Sequence, residues 1–62
     1  MFTLFFKTDN AAFGDNDFEK REEIASILDA TAKNVRLGLG GTDVVKLRDT
    51  NGNTIGEWKI LG

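Results

Sequence analysis

Val44-Val45-Lys46-Leu47-Arg48-Asp49-Thr50-Asn51-Gly52-Asn53-Thr54-Ile55-Gly56-Glu57-Trp58-Lys59-Ile60 is the stretch that decides the fold of this 62-residue chain. Asn51-Gly52 between two alternating runs is a strong hairpin signal, because both residues tolerate the positive φ that tight turns demand. The pattern predicts one strand from Val44 to Arg48 and another from Thr54 to Ile60. Asp49 to Asn53 joins them. Gly56 beside the bulky Trp58 suggests a close backbone approach.

Upstream, Phe2-Thr3-Leu4-Phe5-Phe6-Lys7-Thr8 is rich in aromatic and β-branched residues and reads as a first strand. Asp9 and Asn10 suggest a turn. Asn16 with Glu19 three residues on makes a capping-box variant, and Asp15, Asp17 and Glu19 gather where the helix dipole favours carboxylates. Ile24, Ile27, Leu28, Thr31 and Val35 share one helical face. Asp29 and Lys33 have the spacing of an i,i+4 ion pair. Gly38 suits the position after the last turn. The expected helix spans about residues 17–37, and the loop Gly38-Leu39-Gly40-Gly41 follows it.

The order is therefore β-α-β-β, one α+β domain covering 1–62. A helix returning along the first strand makes the second strand parallel to the first. The third then fits between them, giving a three-stranded antiparallel sheet in order 1-3-2 with the helix on one face. Order 3-2-1 with a parallel pair is the rival that the connection rules also allow.

Strand alternation divides the side chains between two faces. Phe2, Leu4, Phe6, Val45, Leu47, Gly56, Trp58 and Ile60 should meet the helix and form the core, with Leu28 among the helical residues buried there. Thr3, Phe5, Lys7, Val44, Lys46, Arg48, Ile55, Glu57 and Lys59 should occupy the other face. One helix covers one face of so small a sheet, so this second face is open. It carries four bases and one acid, interleaved with Phe5, Val44 and Ile55. Three readings follow. Long side chains simply cover scattered apolar residues; or the face binds protein, a foreign chain or a second copy; or Phe5 stacks a base while Lys7, Lys46, Arg48 and Lys59 meet phosphates.

Composition narrows the chemistry. There are eight bases and ten acids, a net charge of −2, and no Cys, His or Pro. Disulfides are excluded, and a zinc site would lack imidazole and thiolate. The usual general base and the best nucleophile are absent. The single Ser, Ser26, falls in mid-helix. Asp49 and Glu57 are expected to pair with Arg48 or Lys59 rather than to act in acid–base chemistry. The expectation is a non-enzymatic protein with no catalytic residues, metal, cofactor or small-molecule substrate. Met1 to Lys7 does not resemble a signal peptide, and no apolar run is long enough to span a bilayer. The cytosol is the expected location. So short a chain buries little surface and gains from a partner chain.

Two look-alike motifs fail on inspection. Counted from Asp49, a calcium loop would need Gly at its sixth position and Glu at its twelfth, where Thr54 and Ile60 stand. The glycines after the helix precede a strand, the reverse of a dinucleotide fingerprint.

Phe6-Lys7-Thr8-Asp9-Asn10-Ala11-Ala12-Phe13 and Asn51-Gly52-Asn53-Thr54-Ile55-Gly56-Glu57-Trp58 flank a helix carrying Glu23-Ile24-Ala25-Ser26-Ile27-Leu28. This combination resembles a group of small phage- and prophage-encoded proteins of unassigned function, over nearly the whole chain. In that group a Pro often follows the position of Asn16. Here Asp17 stands there and leaves the cap intact. The group has no activity to carry over. The resemblance implies an accessory protein in the cytoplasm of a bacterial host, binding a host or phage protein or forming a homodimer. It also makes Asp9, Asn10 and Phe13 secondary binding candidates, against the simpler reading of a turn and a core plug. The leading expectation is protein binding through the open sheet face. A nucleic-acid module using the same face is the alternative.

Overall fold

A computed structural model of the chain describes residues 1–38 and 43–61. From Leu39 onward, the loop expected after the helix lies outside the described residues. Five elements follow in order: strand β1 (Phe2–Phe6), a single 3-10 turn (Ala11–Phe13), helix α1 (Asp17–Arg36), strand β2 (Val45–Arg48) and strand β3 (Thr54–Ile60). The sheet is antiparallel, in order β1-β3-β2, with β3 in the centre. Order 3-2-1 is thereby excluded. Val44, expected to open β2, lies just ahead of it and is exposed.

Local chemistry accounts for the ends of α1. Asn16 is the N-cap, and its side chain accepts from the Glu19 N–H at 2.8 Å. Glu19 returns the favour one residue early, accepting from the Asp15 N–H at 3.2 Å. At the far end Gly38 takes φ +81°, and its N–H donates to the Val35 carbonyl. The helical ion pair is Arg21 with Asp17 at 2.8 Å. Asp29 and Lys33, the pair expected from spacing, form none among the described residues.

The core is Phe13, Ile27, Leu47, Ile55 and Trp58, with Leu4, Phe6, Ala12, Ile24 and Val45 packed around it. Trp58 and Phe13 are wholly enclosed. Phe6 stacks on Phe13 at a centroid distance of 6.4 Å, and Phe2 tilts against Trp58 at 5.7 Å. Thr31 is buried because its hydroxyl donates to the Ile27 carbonyl at 2.8 Å, which satisfies it inside the helix.

Ile55 corrects the strand alternation. It was expected on the open face, yet it is only 8% exposed and belongs to the core. Leu47 pairs with Gly56 but the next residue, Arg48, pairs with Thr54. The register therefore skips Ile55. Such a bulge resets which side a residue faces, so Ile55 turns inward beside Leu47 and Trp58. Gly56 is required at this kink: a Cβ there would run into the Phe5 carbonyl oxygen and the Phe6 backbone. The close approach expected at Gly56 is present, with β1 as the approaching chain.

The second correction concerns length. A twenty-residue helix is about 30 Å long, whereas a five-residue strand spans about 17 Å. The longest dimension of the molecule is 38 Å. The C-terminal half of α1 thus outruns its cover, leaving Leu28 45% exposed and Val35 and Leu37 open too. Leu28 is not the core residue its spacing suggested.

These burials make a direct prediction. Ile55→Ala should cost about 2–5 kcal/mol, as core truncations do. Phe5→Ala should cost roughly 0.5 kcal/mol or less, as exposed substitutions do. Urea unfolding followed by Trp58 fluorescence measures both. Equal costs would contradict the bulge.

Candidate functional site

Three surface features are built by this fold. The first is the open sheet face. Odd-numbered β1 residues point there, opposite Glu57 and Lys59 of β3, and Lys46 lies across from Glu57 on the other side. Lys46 Nζ pairs with Glu57 Oε1 at 2.9 Å. Glu57 is therefore matched with Lys46, not with Arg48 or Lys59 as expected. Lys7 and Arg48 are exposed and Lys59 is half-buried, and none of the three has an ion pair among the described residues. Phe5 stands among them, 62% exposed. With Ile55 withdrawn into the core, the apolar part of this face is Phe5, with Val44 at its margin.

The second feature is the hairpin turn. Asp49 is only 7% exposed, and its carboxylate gathers four hydrogen bonds. Oδ1 accepts from the N–H groups of Asn51 and Asn53, each at 2.9 Å. Oδ2 accepts from the side-chain amides of Asn10 at 2.5 Å and Asn53 at 3.3 Å. Gly52, at φ +85°, completes the turn by donating its N–H to the Asp49 carbonyl. Next to it, Glu23 on α1 accepts from the backbone N–H and hydroxyl of Thr50. Asp49 thus serves the backbone and two asparagines, not a neighbouring base.

The secondary candidates fall into place around this cluster. Asn10 caps the 3-10 turn by accepting from the Ala12 N–H at 3.0 Å while donating to Asp49. Phe13 is fully buried against Phe6. Asp9 is exposed. Asn10 and Phe13 therefore have structural work that accounts for their presence. Among the described residues no group of three or more carboxylate, imidazole or thiol side chains is arranged to hold a metal ion, and no helix is long and apolar enough to cross a membrane.

The third feature is one that the strand and helix patterns did not reveal. An apolar groove of about 520 Å³ lies between the C-terminal half of α1 and the outer end of the sheet. Phe2, Leu4, Leu28, Ala32, Val35 and Ile60 line it. The signal for it was available as arithmetic: the helix is too long for the strands it covers.

No family model matches the chain, and neither a curated protein nor a solved structure shows significant similarity to it.

Burial raises the Asp49 carboxyl, but the hydrogen bonds from Asn53, Asn10 and Asn51 outweigh it and hold the group below its ordinary value of 3.8. A carboxylate depressed in the folded state adds stability that is complete above the unfolded value of about 3.9 and fades as pH falls through the lower folded value. Asp49→Asn should therefore be less stable than the parent at neutral pH, and the gap should close below about pH 4. Denaturant midpoints of both proteins across that range check this. A gap that stays constant with pH would refute it.

Proposed function

We propose that this protein is a non-enzymatic accessory module of the phage type that binds another protein through its open sheet face. The observation that carries the reading is Phe5, a large aromatic ring 62% exposed on the edge strand of a face that the helix leaves uncovered. Aromatic rings and Arg are the residue types enriched at protein interfaces. Lys7 and Lys59 flank Phe5 with positive charge and Arg48 adds to it from β2, on a chain whose net charge is −2, while Glu57 opposite the ring is paired with Lys46. That asymmetry favours a partner presenting an apolar socket ringed by carboxylates, because complementary charge steers encounter and fixes register. The absence of His and Cys, together with the structural role of Asp49, supports binding over catalysis.

A second reading uses the same face for single-stranded nucleic acid. The exposed ring among cations favours it, since base stacking and phosphate contacts need those two groups side by side. A single ring offers one stacking platform, which makes protein the preferred partner.

Affinity capture from bacterial lysate separates the two. The tagged chain should retain a protein in the presence of nuclease, and Phe5→Asp and Arg48→Glu should each reduce capture at least about ten-fold, the effect of losing an interface hot spot. Capture abolished by nuclease would turn the reading to nucleic acid. Capture unaffected by both substitutions would remove the sheet face from consideration.

A further inference from the structure

We infer that the apolar groove and the free edge of β1 are covered together by a second copy of this chain, joined through antiparallel β1 strands across a two-fold axis. Three features of the molecule select this occupant.

The first is the ladder. The Lys7 N–H donates to the Ile55 carbonyl at 3.0 Å, and at the other end Met1 and Leu61 bond each other. Residues of an antiparallel strand point their backbone groups alternately to one side and the other. Odd-numbered residues of β1 therefore serve β3, and Phe2, Leu4 and Phe6 aim their N–H and C=O groups outward. β1 and β2 are the two edge strands; β2 carries Lys46 and Arg48, whereas Phe2–Phe6 contains neither charge nor proline, the usual protections of an edge. Pairing centred on Leu4 sets Phe2 opposite Phe6 of the second copy and engages every outward group.

The second is position. The groove opens beside β1. A two-fold axis at this edge brings the two grooves together, so that Phe2, Leu28, Val35 and Ile60 of both copies leave water in one event.

The third is charge. Arg36 rims the groove, and Asp29 stands seven residues back, two turns along the same line of the helix. Ala32 lies between them. Antiparallel helices related by a two-fold near Ala32 place Asp29 of each copy against Arg36 of the other. Neither residue has an ion pair within its own chain among the described residues. A two-fold axis imposes strand pairing and charge pairing at once.

Pairing about Leu4 also sets Phe5 opposite Thr3 of the second copy, so the dimer is tested through the groove-side charges and the Leu4 amide, which the binding reading of the sheet face does not use. Sedimentation equilibrium of the full chain over a wide range of concentration tests it. The expected result is a reversible species of twice 6.8 kDa. Asp29→Arg and Arg36→Asp should each weaken the dimer at least about five-fold, and the double variant should return to within about two-fold of the parent. A chain synthesised with an N-methyl group on Leu4 should be monomeric while keeping its circular dichroism, because that amide has no partner within the sheet. A parent that is monomeric at every concentration overturns the inference. So does a dimer indifferent to charge reversal and to the N-methyl group.

Discussion

The carboxylate of Asp49 joins two parts of the chain that are 39 residues apart, and much of the remaining geometry depends on it. Its two oxygens hold the Asn51 and Asn53 amides, which shapes the hairpin, and they hold Asn10, which anchors the passage from β1 toward the helix. Glu23 on Thr50 adds α1 to the same corner. A carboxylate so enclosed is favourable only because its hydrogen bonds replace the water it loses. The register shift lies directly before this turn, between Leu47 and Arg48. Ile55 reaches the core through that bulge.

The two ends of the molecule differ as a result. At the Asp49 end the helix, the 3-10 turn and the hairpin meet around Phe13, Ile27 and Leu47, and side chains are enclosed. At the other end, α1 continues past its support and leaves Leu28 and Val35 over a groove. Length alone produces this contrast: helices and strands advance at different rates per residue, and these strands are short. The open sheet face is a further unpaired surface, aromatic and basic at once.

The candidate site was only partly legible in the sequence. Phe5, Lys46 and Lys59 follow from alternation, since they lie in strand segments where a period of two holds; Lys7 lies one residue past β1 and Arg48 sits at the register shift, and both are exposed. Ile55 did not follow, because a glycine within a strand marks either a close approach or a bulge and Gly56 was read only as the first. Lys46 rather than Arg48 or Lys59 pairs with Glu57, because cross-strand register, not nearness in sequence, decides which charges are opposite. Asp49 reads as a turn residue from Asn51-Gly52, but its bond to Asn10 depends on where two distant loops come to rest.

By itself the sequence determined the elements and their order. Asn51-Gly52 made the hairpin, Asn16 and Gly38 bounded the helix, and the run of aromatics made β1, while the 1-3-2 order stayed one of two that the connection rules allow until the pairing of β3 with both neighbours decided it. The elements are local matters, governed by φ, by capping and by periodicity. Tertiary structure alone decided that Ile55 is inside, that Lys46 faces Glu57 and that Asn10 reaches Asp49. Those outcomes depend on the relative lengths and registers of packed elements, and burial is a property of neighbours that no single stretch of chain contains.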